Sequence, residues 1–329
     1  MKKREDARKP SDTGRLYDRA SAMISAVVLM LTLLFSTVFP ERVRSNIVRT
    51  LEPKTAGLIG MAATEKPDYS VFIRIADVDS DVSPEVVIRL LNISEGPDPL
   101  ELEGEDPKVL IYHTHDSEAY RQTEDSTYVP TGDFRTEDNE KNVYAVGEEL
   151  RRILREDYGI IAVHASEKHE KPKLSEAYSR SLETMLRYKA LYPTIEMFID
   201  IHRDGVEGEG YEDDYVTVDG KECARMMFVV GTGSSGKSSQ NAPEPSTEAE
   251  LMMPDFESNY ALASALTKEL SSYAERFTRN IRVKSGKYNQ QVSKKCLLVE
   301  VGHNGNTLEQ AKNSMKYLAK AIAAVSRGK

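Results

Sequence analysis

Three short segments of this chain end in histidine after an apolar run. YHTHDSEAY carries His113, His115 and Glu118, IDIHRDG carries Asp200, His202, Arg203 and Asp204, and LLVEVGH carries Glu300 and His303. Side chains alternate along a strand, so His113 and His115 can face the same way, as can Asp200 and His202. A catalytic zinc needs three nitrogen or oxygen ligands and an open position for water, and these residue types could supply them. Either histidine of the first segment could join His202, with Asp200 orienting an imidazole from behind. Glu300 is the only acid in CLLVEV, and a buried carboxylate needs a partner, a raised pKa or exposure at a site. Beside a metal-bound water it would serve as general base and return the proton to the leaving group; a salt bridge to Arg203 is the structural alternative. Arg203 itself reads as a substrate contact or as half of an ion pair with Asp204. Tyr288 and Asn289, followed by Gln290, form a polar loop that could hydrogen-bond a peptide or simply make a turn. His164 and His169, in the charged stretch HASEKHEKPK, read as solvated.

The elements that must position these residues alternate from Lys108 onward. KVLIYHTH, GIIAVHA, EMFIDIH, ARMMFVVGT and CLLVEVGH read as strands, separated by helical patterns such as NVYAVGEELRRILREDY and SEAYSRSLETMLRYKALY. The last helix, TLEQAKNSMKYLAKAIAAV, opens on Thr307 with Gln310 three residues on, a capping pair. Such alternation predicts an α/β domain with a mostly parallel sheet flanked by helices. Ligands of open sheets sit beyond the carboxyl ends of the strands, where the histidines fall.

Residues 20–40 contain no charge and are close to the roughly 20 apolar residues that span a bilayer. Seven Lys/Arg precede them, so the bias predicts a cytoplasmic tail at 1–19, one transmembrane helix at 20–40, and an extracytoplasmic remainder. Residues 41–106, which include the acidic GPDPLELEGEDP, read as an extended stalk or small subdomain, and 107–329 as the folded domain. The chain carries +5 through Lys54 and −14 after it, which argues against nucleic acid as a partner. Cys223 and Cys296 lie in apolar runs and read as buried free thiols.

Gly231 to Ser238, GTGSSGKS, fits the phosphate-binding loop pattern with Lys237 as its lysine. That mechanism needs the loop to open a helix, and SSQNAPEPSTEAELMMPD has no amphipathic period. A nucleotide-binding membrane protein is therefore the lesser alternative, and a flexible loop the plainer account.

YHTHDSEAY, IDIHRDG and LLVEVGHNGNTLEQA resemble the signature blocks of the stage II sporulation protein P family, and the similarity extends from about Pro107 to the C-terminus. The resemblance implies an amidase-like fold and a membrane-anchored, zinc-dependent N-acetylmuramoyl-L-alanine amidase, also cutting peptide cross-links. It further implies septal wall remodelling and engulfment during sporulation, with peptidoglycan as substrate, stage II sporulation proteins D and M as partners, and the mother-cell membrane as location. Carried over, it implies His115 and His202 as Zn2+ ligands and Glu300 as the catalytic carboxylate. Glu118 is the choice for third ligand, with His113, Asn142, Glu148 and Glu149 as alternatives. His303 and Gly205 depart from the usual pattern, and His303 could perturb or supplement the site. A noncatalytic wall-binding scaffold that kept the fold is the principal rival.

Overall fold

The computed structural model describes residues 77–93, 96–206, 214–239 and 242–328. The tail at 1–19, the span at 20–40 and the first part of the 41–106 segment lie outside the described residues. No helix among the described residues is long and apolar enough to cross a membrane.

The described residues form eight strands: β1 (Val109–Tyr112), β2 (Ala162–His164), β3 (Met197–Asp204), β4 (Tyr215–Val218), β5 (Lys221–Ala224), β6 (Met226–Gly231), β7 (Arg282–Lys284) and β8 (Cys296–His303). Six form one sheet in the order β2-β1-β3-β8-β6-β7, and β4 and β5 form a separate antiparallel pair. β2, β1, β3 and β8 run parallel, whereas β6 pairs antiparallel with β8. The sheet is therefore mixed and mostly parallel. Buried strands read as apolar runs in either direction, so the reversal leaves no mark on the pattern. It has a consequence: Met226 lies opposite Val301 and Val229 opposite Leu298, so the loop after Gly231 leaves beside the start of β8, away from Glu300.

The helices are α1 (Pro84–Leu91), α2 (Val143–Tyr158), α3 (Ala177–Leu191), α4 (Glu248–Leu251), α5 (Phe256–Tyr273) and α6 (Leu308–Ser326). Strand alternation divides the core. Val109, Ile111, Met197, Ile199, Ile201, Leu297, Val299 and Val301 pack with α2, α5 and α6 in the main core. The even-numbered neighbours Leu110, Tyr112, Phe198 and Cys296 meet Leu182 and Met185 of α3 on the other face. Farther along that second face, the same alternation places Asp200, His202 and Glu300. Thr307 and Gln310 make the expected capping box at the start of α6, and both cysteines are buried and free.

Residues 77–93 and 96–106 are the described part of the segment expected as an extended stalk or small subdomain. Ser83 caps α1, and Leu90, Leu100 and Leu102 are buried in the main core. The acidic, proline-containing composition hides three leucines that dock on the domain.

Candidate functional site

β3 and β8 place His202 directly opposite Glu300 in register, and neighbouring strands are about 4.8 Å apart. The loop after β1 brings His115 and Glu118 over them. The His115 and His202 rings meet edge to face at 5.3 Å, and Tyr178 of α3 leans on His115 at 5.7 Å. Four of the expected site residues, His115, Glu118, His202 and Glu300, are thus in one place.

Their electrostatics differ from a metal centre. His202 Nε2 lies 3.0 Å from Asp200 Oδ1 as a charge contact, and Nδ1 lies 3.4 Å from Glu118 Oε2. Burial alone would lower its pKa, but the charge of Asp200, and then Glu118, raises it well above the histidine range. Burial would likewise raise both carboxyls, yet His202 holds Glu118 far below the usual carboxylate range, and His202 with Thr114 lowers Asp200. Each ring nitrogen of His202 thus already faces a carboxylate oxygen, Nε2 toward Asp200 and Nδ1 toward Glu118. His115 faces Glu170 Oε1 through Nδ1 at 3.2 Å, and Glu170 also takes Arg135 and Ser117.

The other expected ligands are engaged as well. Asn142 caps α2 through Tyr144 N and donates to Thr136 O. Glu148 pairs with Arg151 and His164, and Glu149 with Arg152. His113 gives Nδ1 to Ile201 O and has Nε2 2.8 Å from His164 Nε2. Among the described residues, no group of three or more His, Cys, Asp or Glu side chains could hold a metal ion. This overturns the expected Zn2+ site of His115, His202 and Glu118, and with it the expectation of a zinc-dependent amidase. The residue types were right for zinc, but spacing does not show that each imidazole already has a carboxylate.

Glu300 is raised to about 8, first by burial and then by Asp204 and Glu118, against the opposing charge of His202. Its Oε2 is buried without a hydrogen-bond partner. A carboxyl that keeps its proton can donate as well as accept a hydrogen bond. Arg203 gives its guanidinium to the backbone carbonyls of Ala119, Phe134 and Asp204, pinning the loop that carries Glu118. Asp204 pairs instead with Arg279. Tyr288 stands edge to face with Tyr178 at 5.4 Å. Asn289 is fully buried, donating to Tyr178 O and Ser181 Oγ. His303 is buried, accepting Gly305 N–H at Nδ1 and lying 3.8 Å from Asp214 through Nε2.

His164 and His169 are not solvated. Burial takes the His164 pKa down to about 4 and that of His113 to about 3. His169 donates to His113 O and accepts from Thr184. The surrounding charges hid them, although VH at the end of an apolar strand was a signal. Arg135, Glu170, Thr114 and Ser181 had no sequence signal, because chain segments far apart bring them in. A cavity of ≈ 240 Å³, lined in part by Asp116, Ser117, Arg135, Lys168, Glu170 and Lys171, opens beside His115.

The GTGSSGKS loop does not open a helix. The amides of Thr232, Gly233, Ser235 and Gly236 are bonded to backbone carbonyls, Lys237 pairs with Glu244, and α4 starts only at Glu248 under its own Thr247 cap.

Comparison with known proteins gives three findings. The family model of Stage II sporulation protein P (SpoIIP) matches residues 62–323. Stage II sporulation protein P of Bacillus subtilis (strain 168) is 30% identical over 223 residues, 64% of this chain and 49% of that protein, so the chain spans about half its length. Among solved structures, the catalytic domain of CwlV, an N-acetylmuramoyl-L-alanine amidase from Bacillus (Paenibacillus) polymyxa var. colistinus, is similar at 11% identity. Its TM-score is 0.32, over 66% of this chain and 94% of that one, a slight likeness.

Proposed function

The chain belongs to the stage II sporulation protein P family, and from that premise we propose that it is a cell-wall-binding protein of sporulation that holds the peptide stems of peptidoglycan. Residues 20–40 tether it to the membrane with the domain outside, where stage II sporulation proteins D and M would be its neighbours. The observation that carries the binding reading is the cavity beside His115, with Arg135, Lys168 and Lys171 facing Asp116 and Glu170. A stem peptide presents amides, carboxylates and an ammonium, and a lining of both signs matches such a ligand group by group. His202 packs edge to face behind His115, whose Nδ1 faces Glu170 of the cavity lining.

Co-sedimentation of the full chain with purified sacculi tests this, with free stem peptide as competitor. Binding that the peptide displaces, and that Arg135→Ala weakens about tenfold, is the expected result. Absence of binding would sink the reading. So would stem peptides released from sacculi by the wild type and not by Glu300→Gln, which would make the chain a hydrolase.

A further inference from the structure

A buried hydrogen-bond chain runs from the Tyr288–Asn289 turn to Asp200, whose carboxylate lies in charge contact with His202. Asn289 Nδ2 donates to Ser181 Oγ at 2.8 Å, Ser181 Oγ lies 2.8 Å from Thr114 Oγ1, and Thr114 Oγ1 donates to Asp200 Oδ2 at 2.6 Å. Thr114 N donates to Asp200 Oδ1 at 2.8 Å, the same oxygen that stands 3.0 Å from His202 Nε2. The polarity is forced. The Asp200 carboxylate accepts only, so Thr114 must give its hydroxyl proton to it and has a lone pair left for Ser181. Ser181 then donates to Thr114, its contact to Tyr178 O at 3.2 Å being the longer, and accepts from Asn289. Thr114, Ser181, Asp200 and Asn289 are all fully buried. They come from four places: the loop after β1, α3, β3 and the turn before β8.

The turn supplies a second observation. Tyr288 and Asn289 both take left-handed backbone, at φ 52° and 56°, a conformation that costs a non-glycine residue about 1–3 kcal/mol and persists where the surroundings over-determine it. Asn289 is what this conformation delivers: its side-chain amide reaches Tyr178 O and Ser181 at once. A simpler turn would leave Ser181 and Tyr178 without that donor.

We infer that Thr114, Ser181 and Asn289 are positioning residues that fix the Asp200 carboxylate, and through it the ring of His202, which packs edge to face on His115 and so reaches the cavity through Glu170. They do not touch a ligand; they act on the cavity at one remove, through His202, His115 and Glu170. The inference rests on reading the cleft as a binding site, and its test separates the two.

The full chain, labelled with 15N-histidine, has six histidines, so its ring nitrogen spectrum can be assigned by single substitutions. Thr114→Val keeps the shape of the residue and removes the hydroxyl donor, while Thr114→Ser keeps the donor. Thr114→Val should shift the His202 ring nitrogens and weaken sacculus binding about tenfold, and Thr114→Ser should restore both. His202 signals unmoved in folded Thr114→Val overturn the inference. Should that variant fail to fold, Ser181→Ala decides the same question by the same signals. Shifted His202 signals with wild-type sacculus binding would keep the positioning chain and overturn the binding role of the cleft.

Discussion

His202 and Glu300 face each other across two strands, and both are raised in pKa for opposite reasons, His202 by the charge of its carboxylates against burial and Glu300 by burial itself; each makes a prediction. Glu300 is raised from 4.5 to about 8, so between those values the folded state keeps a proton that the unfolded state has lost. Stability therefore falls as pH rises through that window, and is free of the penalty below it. Glu300→Gln should match the wild type near pH 4 and exceed it by roughly 1–3 kcal/mol at pH 8, measured by urea unfolding at the two pH values. A variant less stable than wild type at pH 8 would mean that ionised Glu300 has a partner worth keeping. His202 carries the reverse argument. Asp200 and Glu118 are buried against it, and removing one member of a buried charge set costs about 3–5 kcal/mol because the others stay uncompensated. His202→Ala should lose stability on that scale at pH 7, and a loss under 1 kcal/mol would show that the carboxylates find other partners. The two residues were visible in the sequence as polar groups in apolar strand ends. Their pairing was not, because Glu118 reaches His202 from a loop whose path depends on the contacts of Arg203 with three carbonyls.

Among the elements, α2 shows how a packing constraint can outweigh helix propensity. Gly147 sits on its buried face, and a methyl group there would lie 2.8 Å from Nε2 of both His113 and His164. Alanine is worth about 1 kcal/mol over glycine inside a helix, yet this contact is closer than any real Cβ tolerates. Gly147→Ala should therefore destabilise by roughly 1–3 kcal/mol, seen as a lower melting temperature, whereas a rise would show that the two rings can move apart. The sequence made the helix plain, since Val143, Val146, Leu150, Ile153 and Leu154 repeat at helical spacing. It did not show the histidine pair underneath, since His164 ends β2 while His113 follows the end of β1. The mostly parallel sheet was legible from the alternation of elements, and the reversal of β6 was not, since direction leaves no trace in a fully buried run. Leu100 and Leu102 were missed for a related reason: two apolar residues in an acidic stretch carry no period, and only the tertiary docking site makes them core.

For the molecule as a whole, the question is whether a metal has anything to gain by binding. A ligand that binds only the folded state raises stability by mass action, by about 2.7 kcal/mol when its concentration is 100 times its dissociation constant. In a domain of this size that is a shift of several degrees, since 1 kcal/mol corresponds to about 2–4 °C. To gain it here, zinc would have to take His202 from both Asp200 and Glu118, and His115 from Glu170. Each exchange gives up an existing charge pair in a buried setting, and the described residues offer no ready set of three donors in return. The full chain at pH 7 should then melt within about 1 °C of the same temperature with excess chelator or with micromolar zinc added. Sacculus binding should be equally indifferent, because the cavity beside His115 acts through Arg135, Lys168 and the carboxylates that face them. A zinc-dependent rise of several degrees, reversed by chelator, would show that the charge pairs yield to a metal and would return the site to metal chemistry. An unchanged melting temperature with retained binding would leave the paired cleft as the working part of the molecule.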